Sequence, residues 1–142
     1  MSKLLQEVER LAAEAQADLN ERAEGRLDFS EASLQVVEEM LAEAAQYRQG
    51  LGADVIEGLV TRLGCYILEV GRKQFGGTYS WLEERRQPVL VVREPEAHIA
   101  LMTWDRVRGR ISGDAGDNIP FFFEGFAQRV RTASSGTRAL YV

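Results

Sequence analysis

The sequence predicts an α+β fold: three N-terminal helices, a small antiparallel sheet formed by a three-stranded meander plus a C-terminal strand, and two further short helices. Three observations carry that prediction. Apolar residues recur at three- and four-residue steps through the first half of the chain, as amphipathic helices require. The character changes at Gly76-Gly77, after which the runs TYSWL, QPVLVVR and HIALMT follow one another with turn residues between them. A strong helix start at Asn118-Ile119-Pro120 then precedes a last strand-like run, RALYV.

The central element is Ala53 to Phe75. Val55, Ile56, Leu59, Val60, Leu63, Ile67 and Val70 make one broad apolar face, Asp54 sits at the positive end of the helix dipole, and Arg72 and Lys73 sit at the negative end. Gly58, Gly64 and Gly71 interrupt it, each costing roughly 1 kcal/mol relative to Ala. Gly64 and Gly71 are seven apart on nearly one face, so they either admit a second backbone or are simply tolerated. Glu69 interrupts the apolar run as well. It either pairs at the surface with Lys73, one turn on, or is a partly buried carboxylate held by an arginine from the sheet.

Before the central helix, Ser2 to Ala23 carries the stripe Leu4, Val8, Leu11, Ala15 and Leu19. The stripe is thin and alanine-rich, which predicts a helix that packs shallowly on the body or against a partner. Residues 1–26 are therefore expected at the periphery or at an interface. Asp28 with Glu31, or Ser30 alone, caps a second helix running to about Arg48, with Ala32, Val36, Val37, Met40, Leu41, Ala44 and Tyr47 on its buried face. After the meander, Trp104 to Ser112 reads as a helix capped by Thr103, with a strand as the alternative because Arg106, Arg108 and Arg110 alternate. The last helix, roughly Pro120 to Thr132, carries four phenylalanines within six residues, which cannot share one stripe. Either it is covered on two sides or Phe121 and Phe122 leave an aromatic face for a partner.

Length and composition bound the rest. A chain of 142 residues with 45% hydrophobic and 27% charged residues reads as a single domain, 1–142. No run approaches the ~20 apolar residues of a membrane span. The N-terminus turns acidic at once, and the single Cys65 forbids an internal disulfide, so a reducing cytoplasm is expected. Residues 1–57 carry net −8 and residues 58–142 net +3, so the two halves could attract one another within one chain or between copies. Neither half is basic enough to suggest nucleic acid.

Chemistry-bearing motifs are sparse. His98 and Cys65 stand alone, too few for zinc. No glycine-rich phosphate loop is present, and no cofactor is expected. Asp114, Asp117 and Asn118 fall short of a calcium loop. Neighbouring carboxylates such as Glu38-Glu39 read as solvated surface.

The GxYxxE helix Gly64-Cys65-Tyr66-Ile67-Leu68-Glu69, the Gly76-Gly77 pair, the aromatic strand with Trp81 and the DNIPFF run resemble several uncharacterised families of small bacterial cytoplasmic α+β proteins. The resemblance covers residues 27 to 142 and implies an α+β fold and a bacterial source, without an activity. The chain is similar in architecture to secretion chaperones, although the order of helices and strands differs. The function expected is a non-enzymatic protein-interaction module, of immunity or adaptor type, that holds a protein partner or a second copy in a homodimer. Its candidate contact residues are Glu69, Tyr66, Trp81, Trp104, Phe121 and Phe122; no catalytic residue or metal ligand is assigned. The alternative is a small-ligand binder or enzyme with a pocket between helix and sheet around Glu69.

Overall fold

A computed structural model describes residues 2–114, 116 and 118–142. Asp117, a member of the weak calcium pattern and of the DNIPFF run, lies outside the described residues. The elements are α1 (Lys3–Leu19), α2 (Leu34–Gln46), α3 (Ala53–Phe75), β1 (Thr78–Leu82), β2 (Gln87–Val92), β3 (His98–Leu101), α4 (Trp104–Ile111), α5 (Ile119–Thr132) and β4 (Arg138–Tyr141), with single 3-10 turns at Glu31–Ser33 and Arg48–Gly50. The α+β class and the order of helices and strands are as the sequence predicts, and Trp104–Ile111 is helical. No helix among the described residues is long and apolar enough to cross a membrane.

Local chemistry sets the boundaries. Ser2 caps α1 by accepting from Leu5 N–H at 3.1 Å. Asp28 and Glu31 do not form a capping box: Asp28 accepts from Ser30 N–H and Oγ–H, and Ser30 Oγ accepts from Ser33 N–H, so the chain enters α2 through a 3-10 turn. Asn118 caps α5 on Phe121 N–H at 2.9 Å, with Pro120 in the first turn. At Gly76 the backbone takes φ +78°, which ends α3 where a side chain would be strained.

The sheet has the order β1-β2-β3-β4. The first three strands form the expected antiparallel meander, with Tyr79 opposite Leu90 and Leu90 opposite Leu101. Here one expectation is corrected. β4 joins β3 in parallel, Ile99 opposite Ala139, so the sheet is mixed rather than antiparallel. The reason is the connection: α4 and α5 carry the chain back across the sheet before β4 begins, as a parallel neighbour requires. One sheet face, with Leu90, Val92, Ile99 and Leu101, packs into the main core beside α3 and α5.

The N-terminal helix is not peripheral. Val8, Ala12 and Ala15 of α1 are buried in the main core, where α1 lies along α3. The alanines let the two helices approach, and Arg62–Asp18 at 3.0 Å and Arg72–Glu9 at 3.4 Å flank the contact. The following loop is tied back to α1: Leu27 N–H donates to Asn20 Oδ1 and Leu27 C=O accepts from Gln16 Nε2–H. The acidic half thus meets the basic half within one chain. On α2, Leu34 rather than Ala32 is buried, and Tyr47 is exposed.

The α3 glycines also find a use. A Cβ at Gly64 would collide with the Trp104 indole, and one at Gly71 would lie 3.1 Å from Leu90 Cδ2. Side chains of α4 and β2, not a second backbone, fill the space. Gly64→Ala is expected to cost about 1–3 kcal/mol through that overlap, read as a shift in urea midpoint. A chain beginning at Leu27 should lose its cooperative transition, because the α3 face under α1 would meet water. If it kept the full-length midpoint, α1 would be an accessory element after all.

Candidate functional site

Glu69 was the sharpest residue in the sequence, and it is buried at 2% exposure. Its carboxylate accepts from Arg72 Nε–H at 2.6 Å and Nη2–H at 2.9 Å, and from the Tyr79 hydroxyl at 2.7 Å. The arginine therefore comes from the same helix, one turn on, and the sheet contributes a tyrosine instead. Lys73 adds only its charge. Burial pushes the carboxyl pKa up, but the hydrogen bonds from Arg72 and Tyr79 and the nearby cations outweigh it and hold the group below its usual range. Burial, then the Glu69 charge, raises the Tyr79 phenol, so it remains a donor. A carboxylate locked ionised by three donors is a structural anchor, not a general acid, which would need a raised pKa.

The other candidate residues do not converge on Glu69. Tyr66 is fully buried and stacks on Phe29 at 4.6 Å; its hydroxyl accepts from Phe29 N–H at 2.9 Å and hydrogen-bonds Ser33 Oγ at 2.7 Å, pinning the start of α2. Trp81 is about half exposed and meets Trp104 edge-on at 6.2 Å, with Nε1–H donating to Glu83. Trp104 fills the space at Gly64 with its indole, and its buried Nε1–H meets no acceptor in hydrogen-bonding geometry. Its neighbour Cys65 is buried, and burial raises the thiol to about 12 against a smaller lowering by that indole, so it is inert.

Phe122 is buried with Arg106 stacked 4.5 Å above its ring, while Phe123 and Phe126 are in the core. Phe121 alone points out, at 63% exposure. The expected aromatic face is therefore a single exposed ring. The alternating arginines separate likewise: Arg106 donates to Val142 C=O, Arg108 pairs with Asp105 and Glu57, and Arg110 pairs with Glu38.

Two features escaped the sequence reading. Glu38 is buried, pairs with Arg110 and accepts from Ile119 N–H at 2.9 Å, joining α2 to α4 and the start of α5. Its signal was position: Glu38 stands between Leu34 and Leu41 on the apolar stripe, not on the solvated side. The second feature is the sheet face turned away from the helices. Val89, Val91, Ala100 and Met102 form a separate apolar cluster with Leu82 and Val142 beside it, and no helix contributes to it. Val89, Val91 and Ala100 lie at the floor of a groove of about 490 Å³ whose walls include Leu82, His98, Arg138 and Leu140. The signal was the unbroken apolar run from Pro88 to Val92, which leaves both strand faces apolar. Among the described residues, no three His, Cys, Asp or Glu side chains are grouped so as to hold a metal ion.

The Glu69 network yields a prediction. Glu69→Ala leaves Arg72 without its main partner and Tyr79 with no acceptor, and should cost about 3–5 kcal/mol in urea denaturation. The folded pKa lies below the ordinary 4.5, so the stabilisation is complete above that pH and is lost as pH falls through the folded value. Glu69→Gln should accordingly flatten the acid limb of the stability–pH curve.

Comparison of the chain with protein-family models, with curated proteins and with solved structures finds no match.

Proposed function

We propose that the chain is a non-enzymatic protein-interaction module, of immunity or adaptor type, whose contact surface is the outer face of its sheet. The observation that carries this reading is the apolar groove on the outer sheet face: Val89, Val91 and Ala100, each at most 9% exposed, form its floor, and Leu140 stands beside it at 53% exposure. A contiguous apolar surface bordered by polar groups is the ordinary mark of a protein contact site. The enzyme alternative draws no support from Glu69, which is held ionised by donors of its own fold. A buried, unreactive Cys65 is compatible with a reducing bacterial cytoplasm. The apolar stripe of α1, which suggested a homodimer, is occupied by α3 of the same chain, so the partner in this reading is a different protein.

A photo-cross-linking side chain in place of Leu140 tests the reading. In lysate of the source organism it should yield one discrete protein adduct, whereas the same group at Glu21, exposed on the far helical layer, should not. Equal labelling from both positions, or none from Leu140, would overturn it.

A further inference from the structure

We propose that the open edge of β4 takes up an extended segment of the partner protein, alternating acidic and apolar residues, as an additional strand. The inference rests on the interaction reading above and names how the partner is held. β1 and β4 are the two edge strands, and α1 lies against β1. Along β4, His98 N–H donates to Thr137 C=O and Met102 N–H to Tyr141 C=O. In a parallel ladder alternate residues serve the same neighbour, so Thr137, Ala139 and Tyr141 face β3. Arg138 and Leu140 then direct their N–H and C=O groups to the open side. An added strand would use those groups.

Side-chain space is present on both sides of that edge. The outer groove offers Val89, Val91 and Leu140 to apolar residues. A second groove of about 490 Å³, between β4 and α5, is lined by Gln128, Arg129, Thr132 and Tyr141. Successive side chains of an added strand would point alternately into the two. The charged residues lining them are arginines only: Arg138 in the first, Arg129 in the second. Arg129 and Arg138, like Arg26, Arg48, Arg86 and Arg93, make no ion pair among the described residues, whereas Arg62, Arg72, Arg108 and Arg110 are paired. Arg129 in the polar second groove selects acidic residues on that side of the added strand, while the outer groove takes the apolar ones. Pairing two β4 edges would bring the arginines of two copies together, which disfavours a second copy as the occupant.

The probe is the capped hexapeptide Glu-Val-Glu-Val-Glu-Val, titrated into the isotope-labelled full chain and followed by amide exchange. Binding should slow exchange at Arg138 and Leu140 by about tenfold while leaving β1 unchanged. Combining Arg129→Glu with Arg138→Glu should weaken binding about tenfold, and the Lys-Val counterpart should not bind at the same concentration. Three results would overturn the proposal: no protection at these amides with millimolar peptide, equal binding of the lysine peptide, or concentration-dependent protection without peptide, which would assign the edge to a second copy. Discrete cross-links from Leu140 without protection at β4 would leave the sheet-face reading standing and remove strand addition alone; failure of both experiments would remove both.

Discussion

Between Leu63 and Gly71 the α3 helix has no side open to water, and every neighbour has to fit around it. A helix covered on all sides cannot carry large side chains all round, because the elements packed on it would be held too far away. Gly64 and Gly71 stand where the Trp104 indole and the Leu90 and Leu101 methyls come in. The same burial forces the one charge in that stretch, Glu69, to be fully bonded. It is bonded by one residue from its own helix and one from β1, so the carboxylate fixes the sheet's first strand against α3. Buried pairs of this kind add little net stability compared with apolar packing, but breaking them is costly. The contribution of Glu69 is therefore to position β1.

Glu38 does for the other end of the molecule what Glu69 does for the sheet. Its carboxylate reaches Arg110 on α4 and the first amide of α5, so three helices meet at one charge. The ion pairs Glu57–Arg108 at 2.6 Å and Asp18–Arg62 at 3.0 Å follow the same pattern of acidic N-terminal residue to basic later residue. The uneven charge of the chain is thus satisfied largely within the fold. Arg129 and Arg138, with Arg26, Arg48, Arg86 and Arg93, make no ion pair among the described residues.

How much of this was legible depended on whether the determining interaction was local. The bounds of α3 could be read because periodicity, Asp54 in the first turn, Arg72 and Lys73 in the last and Gly76 beyond them all agree. The Asn118 cap of α5 was legible for the same reason. The interruption of an apolar run at Glu69 left its burial open beside a surface pair with Lys73, and its true partner was not legible, since Arg72 looked like an ordinary dipole-compensating cation. Glu38 was misread because its neighbour Glu39 made it look like solvated surface. The direction of β4 was hidden altogether, because nothing within RALYV specifies which strand it joins or in which sense. The candidate site lies where local signals end: it is made by two strand faces and an edge that only the topology defines.

The parallel placement of β4 has a consequence for the order of assembly. His98 and Arg138 are adjacent in the sheet, yet both α4 and α5 are made between them. On a ribosome the meander can pair as soon as β3 emerges, leaving the β3 edge vacant until residues 138–141 arrive. Such long-range pairings close slowly, because the intervening chain has to be ordered first. During that interval the nascent protein displays the unpaired backbone groups of His98, Ala100 and Met102, an edge without the arginine that later flanks it. Synthesis of the last strand is thus the step that converts a hazardous edge into a selective one.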